Sequence, residues 1–150
     1  MFTHILVPID GSTTSLLAID KAAALSKAFG SRVTALYVID PYPFTGVGGD
    51  FALGQDQYLE AAKAEANSAM ESARLRAKEF GVGIDSLVNE AHTVWRGVLE
   101  TADQLGADLI VLGSHGRRGL EKLVLGSVTQ SVLSHTRITT LVVRDPSSTE

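Results

Sequence analysis

The amino-acid sequence predicts a single α/β domain in which a doubly wound parallel sheet carries helices on both faces. Short apolar runs rich in branched residues alternate with segments of helical periodicity, a pattern typical of βαβ units. The chain has 150 residues, near the commonest size of one domain with one core. Because crossovers between parallel strands are almost always right-handed, we expect five strands in the order 3-2-1-4-5 with helices on both sides.

The first βαβ unit lies within the first forty residues. His4–Ile9 is an apolar run that predicts a strand, and the sequence Asp-Gly-Ser breaks it. Apolar residues at helical spacing predict a helix from about residue 15 to 29, which Gly30 ends. Arg32–Ile39 is almost continuously apolar, which is typical of a strand buried on both faces.

A long loop is predicted from residue 40 to 56, because the segment holds two prolines and four glycines without a steady period. Loops of this length are usually functional or mobile. A helix of several turns is predicted to follow, since apolar residues at spacings of three and four form one stripe. The stripe consists of Leu59, Ala62, Ala66, Ala69, Met70, Ala73, Ala77 and Phe80. Gly81 and Gly83 then favour a helix end.

The second half of the chain repeats the alternation. Ile84–Thr93 is a third strand candidate, although it contains an asparagine and a glutamate. A short helix passes through residues 98–105 and is stopped by Gly106. Asp108–Leu112 is a strongly apolar strand candidate that runs directly into Gly113.

The last two elements are a helix over Gly126–His135 and a strand over Thr139–Val143. Residues 145–150 are polar and predict a solvated tail. In open α/β sheets, ligands bind at the carboxyl ends of the strands beside the point where the strand order reverses. The predicted strand order therefore places the expected ligand site at Pro8–Ser12, Val38–Pro41 and Gly113–Ser127.

Three glycines mark the connection after the fourth strand. Gly113 and Gly116 bracket the turn that leaves the strand, and Gly126 opens the next helix together with Ser127. Glycine lets a ligand approach the backbone closely. A helix start offers unpaired amide groups and the positive end of the helix dipole, both of which suit phosphate oxygens. Spacing alone is also compatible with glycines that only make turns.

Polar side chains around these glycines fit the same chemistry. The hydroxyls of Ser127 and Thr129 add donors at the helix start. Arg117, Arg118 and Lys122 supply positive charge in the intervening loop.

The spacing Gly113-x2-Gly116-x9-Gly126-Ser127 resembles the nucleotide-binding pattern of the universal stress protein family. The blocks HILVPIDGS, ALYVID, ADLIVLGSHGRRG and LVVR also look like that family, so the resemblance runs from Thr3 to Arg144. It implies a Rossmann-like fold of the adenine nucleotide alpha hydrolase type. It also implies a ligand, which is ATP or alternatively ADP or AMP, together with Mg²⁺.

The resemblance also implies roles for individual residues. Pro8, Ile9 and Val38 match residues that flank the adenine, and Asp10 matches an acidic residue near the adenosine and phosphates. Asp10 would hold a ribose hydroxyl or, through water, a Mg²⁺ ion on the phosphates. Its alternative role is a turn or helix-cap aspartate. The predicted site comprises Pro8, Ile9, Asp10, Gly11, Val38, Gly113, Ser114, Gly116, Arg117, Gly126, Ser127, Val128 and Thr129.

The four histidines share no spacing typical of a metal site. His115 lies in the glycine segment, where it could donate to a phosphate, although a solvent-facing loop histidine is the preferred interpretation. His135 falls in the last turn of its helix, where the dipole favours a cation. His4 and His92 are assigned no role.

Signatures of common catalytic families are absent from the sequence. There is no GxxxxGK[ST] loop, no GxSxG elbow, no kinase signature set and no SGGxDS loop. We therefore expect a regulatory nucleotide-binding module with little or no turnover. Two alternatives stay open: a slow ATPase or autophosphorylating phosphotransferase, and a dimeric interaction protein that needs no nucleotide.

Composition and charge limit the binding partners and the cellular compartment that can be expected. The formal net charge of −4 argues against a general nucleic-acid binder, and the absence of cysteine excludes disulfides and thiolate sites. No run approaches the roughly 20 apolar residues of a membrane span, and the start of the chain lacks the features of a signal peptide. A cytoplasmic location is expected.

A homodimer is also predicted. The final strand, with Thr139, Thr140, Leu141, Val142 and Val143, would lie at the sheet edge, where backbone groups are left unpaired. The family resemblance points to dimers formed through this strand.

Overall fold

A computed structural model describes residues 1–41, 50–116 and 125–146, with side chains from residue 54 onward in the second helix. Helices and strands alternate along these residues. They are β1 His4–Pro8, α1 Thr13–Phe29, β2 Arg32–Ile39, α2 Asp50–Glu79, β3 Asp85–Glu90, α3 Val94–Leu105, β4 Leu109–Gly113, α4 Ser127–His135 and β5 Thr140–Val143. All neighbouring strands pair in parallel, in the order β3-β2-β1-β4-β5. The predicted fold class and strand order are confirmed.

Helices cover both faces of the sheet because successive strand residues point to opposite sides. In β1, Ile5 and Val7 pack with α1 and α2, whereas Leu6 packs with α3 and α4; all three side chains are 0% exposed. The central strand is therefore buried on both faces, as its unbroken apolar sequence predicts.

Helix α2 begins earlier than predicted. It starts at Asp50, so the predicted loop is wrong from residue 50 to 56, and residues 42–49 of that loop lie outside the described residues. The side-chain amide of Gln55 donates a hydrogen bond of 2.7 Å to the Pro41 carbonyl. This contact ties the first turns of α2 to the end of β2, and neither glycine content nor periodicity reveals it.

Strand β3 is shorter than predicted, covering Asp85–Glu90 rather than Ile84–Thr93. The asparagine that weakened the prediction is accommodated by a hydrogen bond: Asn89 donates to the Thr101 hydroxyl of α3 at 3.0 Å. Thr101 in turn donates to the Gly97 carbonyl at 2.7 Å. A polar strand residue is tolerated here because its partner on the covering helix satisfies it.

Two polar contacts tie distant segments together. Arg76 of α2 donates to both carboxylate oxygens of Asp20 in α1, at 2.7 and 2.8 Å. At the amino end of the sheet, the Asp108 carboxylate accepts from the backbone amides of Thr3 and His4 at 3.0–3.1 Å. These hydrogen bonds, first that of Thr3, lower the pKa of Asp108.

His4 has a structural role beside that contact. Its side chain is buried, with Nδ1 3.2 Å from the Leu105 carbonyl and Nε2 2.8 Å from the Thr34 hydroxyl. A carbonyl only accepts, so Nδ1 donates to Leu105, and the Thr34 hydroxyl pairs with Nε2. Within the described residues, no helix has the length and apolar character that crossing a bilayer requires.

Candidate functional site

The carboxyl ends of β1 and β4 lie at the centre of the sheet, where the strand order reverses. The chain leaving β4 is fastened to the start of α4 by two hydrogen bonds. The Gly126 amide donates to the Ser114 carbonyl at 2.7 Å, and the Thr129 hydroxyl donates to the Gly113 carbonyl at 2.8 Å. The predicted glycine segment is thus brought together around the first turn of α4.

The three glycines are required for different reasons. A Cβ atom at Gly113 would lie 2.6 Å from Thr14 Cγ2, so this glycine allows β4 to approach α1. A Cβ atom at Gly126 would lie 3.2 Å from the His115 Cα atom and 3.6 Å from the Ser114 carbonyl oxygen. Gly113 therefore serves packing, whereas Gly126 keeps the helix start and the turn in contact.

Gly116 faces the end of β1. A Cβ atom there would overlap Asp10 Oδ2. Asp10 Oδ1 accepts a hydrogen bond of 2.9 Å from the Ser12 amide. Asp10 therefore closes the turn after β1, as its alternative role predicted, and its carboxylate also contacts the glycine segment. One side chain joins the two central strand ends.

The turn after β1 leads directly into α1. Gly11 has φ of +85°, a conformation that glycine adopts without strain. Ser12 caps the helix by accepting from the Ser15 amide at 3.2 Å. Ser12 therefore contacts both the start of α1 and, through its amide, the Asp10 carboxylate.

The start of α4 resembles an anion-binding helix terminus. Its N-cap is Gly126, which has no side chain to accept from the first-turn amides. Ser127 is exposed and Val128 is half-buried, whereas Thr129 is only 4% exposed. Because the Thr129 hydroxyl donates to the Gly113 carbonyl, its proton is not available to a phosphate, and Ser127 is the hydroxyl exposed at this end.

The residues predicted to flank an adenine divide between the two faces of the sheet. Pro8 and Val38 are half-buried and point to the side of α3 and α4, by the alternation of strand residues. Val38 lies close to α3, since a Cβ atom at Gly97 would be 3.2 Å from Val38 Cγ1. The Ile9 side chain is 6% exposed in the core with α1 and α2. Only the backbone of Ile9 can therefore face a ligand beside Pro8 and Val38.

His115 differs from its preferred interpretation as a solvent-facing residue. Its Nδ1 atom is buried, and it has no hydrogen-bond partner among the described residues. A buried polar nitrogen without a partner is uncommon. The glycine segment therefore encloses a polar atom of His115, whose Cα atom lies beside Gly126. Arg117, predicted to belong to the site, lies outside the described residues, as do Arg118 and Lys122.

A cleft lies on the other side of Asp10, between the end of the sheet, α1 and α2. Its volume is about 230 Å³. Its lining comprises Ile9, Asp10, Gly11, Ser15, Leu16, Tyr37, Glu65, Ser68, Ala69 and Ser72. Only Ile9, Asp10 and Gly11 of these were predicted as site residues. The signal in the sequence was the polar set Glu65, Ser68 and Ser72, which follows one edge of the apolar stripe of α2.

No cluster of three or more histidine, aspartate or glutamate side chains suited to a metal ion occurs in the described parts of the chain. At His92, Nδ1 lies 3.4 Å from an Asp40 carboxylate oxygen at the end of β2. His135 stacks on Trp95, with ring centroids 4.1 Å apart, and so links α4 to α3.

Comparison with known proteins gives a consistent result along the whole chain. The family model described as "Universal stress protein family" matches residues 1–144. The universal stress protein MJ0531 of Methanocaldococcus jannaschii is 34% identical over 146 residues, which cover 97% of this chain and 84% of that protein. The solved structure of the universal stress protein UspA from Lactobacillus plantarum superposes with a TM-score of 0.83 and 26% identity, over 95% of this chain and 97% of that one.

A further solved structure is a universal stress protein in complex with cAMP. It shares the fold with a TM-score of 0.67 and 24% identity, over 95% of this chain and 96% of that one.

Proposed function

The chain belongs to the universal stress protein family, and from that premise we propose that it is a regulatory module that binds an adenine nucleotide, preferentially ATP. The observation that carries the proposal is the junction of Ser114, Gly126 and the first turn of α4 at the reversal point of the sheet. In α/β sheets, this is where nucleotides bind.

The geometry supports a particular placement of the nucleotide. The phosphates would accept from the first-turn amides of α4, where the Gly126 backbone is not shielded by a side chain. The adenine would lie beside Pro8 and Val38 on the face toward α3. The ribose would lie near Asp10, whose carboxylate is already held at the glycine segment.

The residues present fit a Mg²⁺ ion only if the phosphates supply most of its ligands. Asp10 is one carboxylate, and Mg²⁺ takes about six oxygen ligands, several of them water. Asp10 would contact the ion through water, and the ion would neutralise phosphate charge. The cAMP complex of a relative supports the adenine class of ligand, although at 24% identity the likeness to this chain is one of fold.

Calorimetry with ATP tests the site. We expect wild-type protein to bind ATP with a Kd below about 1 mM. Gly126→Val should weaken binding at least about tenfold, because a branched side chain would enter the space beside His115 and Ser114. Gly83→Val is the matched control, since a Cβ atom there meets nothing within 4 Å. Wild-type affinity in a folded Gly126→Val protein would exclude the proposed site.

Turnover distinguishes the module from a slow ATPase or phosphotransferase. We expect fewer than about one hydrolytic event per minute, against a median near 10 s⁻¹ for enzymes. Efficient phosphoryl transfer needs a positioned nucleophile and dedicated charge stabilisation, and the sequence contains no P-loop lysine. Several events per second in a preparation without contaminating ATPase, lost in Gly126→Val, would establish the enzymatic alternative.

A homodimer formed through β5 is also part of the proposal. The carbonyls of Thr139 and Val143 accept from the amides of Ile110 in β4 and of Ser114 just after it, at 2.9 and 2.8 Å. Since alternate residues of a strand direct their backbone groups to opposite sides, Thr140 and Val142 present theirs to the open edge. Leu141 is 40% exposed, whereas Val143 is already buried in the core, so Leu141 would contact the partner. A cytoplasmic location stays an expectation from the sequence.

A further inference from the structure

Helix α3 packs closely against the end of β2, and Gly97 is the residue that allows this approach. Gly97 is buried inside α3, where glycine weakens a helix relative to alanine. Its φ is not among the positive values found at other glycines, so an alanine could adopt the same backbone conformation. A Cβ atom there would lie 3.0 Å from Ala91 Cβ and 3.2 Å from Val38 Cγ1. Because carbon atoms pack best at about 3.5–4.0 Å, the reason for a glycine here is space.

A chain of hydrogen bonds holds α3 at this distance from the sheet. The Asn89 side chain of β3 donates to the Thr101 hydroxyl at 3.0 Å, and this hydroxyl donates to the Gly97 carbonyl at 2.7 Å. Thr101 is 2% exposed, so its hydroxyl is paired inside the protein both as acceptor and as donor. Val38 and Asn89 are partners in the register of β2 and β3. One connected set of contacts therefore joins β3, α3 and Val38.

Val38 is the member of this set that a ligand can reach. It is the penultimate residue of β2 and packs against the core under α3, yet it is only half-buried. Part of its apolar surface is therefore accessible at the carboxyl end of the sheet. The proposed function places the nucleobase at this surface, beside Pro8, and the inference below rests on that function.

We infer that Gly97 and Thr101 are positioning residues for the nucleobase, because they determine where the Val38 methyl groups lie. Contact between a base and an aliphatic surface is mainly dispersion attraction, and a gap of about 0.5–1 Å removes a quarter to a half of it. The phosphates are proposed to lie elsewhere, at the first turn of α4. A small displacement of Val38 therefore weakens binding of the base and leaves binding of the phosphates unchanged.

Calorimetry with two ligands tests this difference. ATP carries the base, whereas inorganic tripolyphosphate carries only phosphates. Gly97→Ala should weaken ATP binding about fivefold or more and change tripolyphosphate binding by less than about twofold. Gly83→Ala is the matched control, since a Cβ atom there meets nothing within 4 Å. Wild-type ATP affinity in Gly97→Ala, or an equal loss of both ligands, would overturn the inference.

A double variant identifies which neighbour of Gly97 transmits the effect. Gly97→Ala combined with Ala91→Gly removes the contact with the Ala91 side chain and keeps the contact with Val38. We expect the loss of ATP affinity to persist in this protein. Recovery of wild-type affinity would assign the effect to Ala91 and refute the role of Val38.

The hydroxyl of Thr101 is tested by two substitutions. Thr101→Val keeps the branched shape but removes the hydroxyl that joins Asn89 to the Gly97 carbonyl. It should weaken ATP binding about threefold or more without affecting tripolyphosphate. Thr101→Ser keeps the hydroxyl and should bind ATP like the wild-type protein. Wild-type ATP affinity in Thr101→Val would refute the role of this residue.

Methyl NMR of the nucleotide-free protein separates this inference from the proposed function. The Val38 methyl resonances should shift in Gly97→Ala and should not shift in Gly83→Ala. Unchanged Val38 resonances in Gly97→Ala would overturn the positioning role regardless of the calorimetry. Shifted resonances in a protein whose wild-type form binds no ATP would establish that Gly97 positions Val38 and would contradict the proposed function instead.

Discussion

At the scale of single residues, Asp10 contacts the turn after β1, the glycine segment and the cleft beside α2. Its Oδ1 atom accepts from the Ser12 amide, its Oδ2 atom lies against Gly116, and its side chain lines the cleft beside α2. The turn role and the ligand role predicted for this aspartate are therefore compatible, because the turn bond involves one oxygen and the glycine segment faces the other.

Asp10→Ala should weaken ATP binding more in Mg²⁺ than in EDTA. With the metal present, the carboxylate supports a cation on the phosphates; without it, the same charge repels them. Calorimetry in both buffers checks the difference. Asp56→Ala is the control, because the Asp56 carboxylate on α2 lies outside the residues proposed to bind ATP and outside the lining of the cleft. An equal effect in the two buffers would mean that Asp10 contacts only the ribose or shapes the turn.

At the scale of elements, α2 combines close packing with a polar outer surface. Its buried positions include Ala66, Ala69, Ala73 and Ala77, small residues that let a helix of 30 residues lie close to the sheet. Arg76 extends from the same helix to Asp20 of α1, and its pKa is raised chiefly by that hydrogen bond. This ion pair thereby holds α2, which forms one wall of the cleft, to α1.

The Arg76–Asp20 pair should contribute a coupling free energy of about 0.5–1 kcal/mol, since it has two hydrogen bonds and its side chains are only 35% and 21% exposed, so that solvent screens part of the attraction. A double-mutant cycle with Arg76→Gln and Asp20→Asn, measured by urea unfolding, gives this value. The Arg74–Glu71 pair is the comparison: it is more exposed, at 48% and 61%, and should couple by about 0.2–0.5 kcal/mol. Equal coupling in the two pairs would contradict a specific role for the bidentate bridge.

The elements also show where sequence patterns stop being informative. Arg32–Ile39 was predicted to the residue, because a strand buried on both faces is apolar at nearly every position. Near the early start of α2, Gln55 contacts the Pro41 carbonyl, and periodicity does not encode a partner so far away along the chain. The glycine segment was predicted by its spacing. The hydrogen bond from the Thr129 hydroxyl to the Gly113 carbonyl was not predicted.

The cleft was missed for a related reason. It requires the polar edge of α2 to face Ser15 of α1 and the end of β1, and these segments are some fifty residues apart along the chain. Helical spacing indicates which α2 residues share a face. It does not indicate which other surface lies opposite them.

At the scale of the whole molecule, β5 lies at one edge of the sheet, where the proposed dimer would form. Val142→Pro should convert a dimer to a monomer, because it removes an outward amide while the pairing of β5 with β4 uses its neighbours. Val142→Ala keeps the amide and is the control. Light scattering coupled to size exclusion gives the mass, and a wild-type value near 15.9 kDa at micromolar concentrations would refute the dimer.

The central position of β1 has a consequence for synthesis on the ribosome. One edge of β1 can pair with β2 as soon as both have been synthesised, but the opposite edge must wait for β4. Asp108, whose carboxylate accepts from the His4 amide, lies 104 residues after His4. At about 5–20 residues added per second, this delay is about 5–20 s. For that time the nascent chain presents an unpaired apolar edge, so its most deeply buried strand is the segment that a chaperone at the exit tunnel would meet.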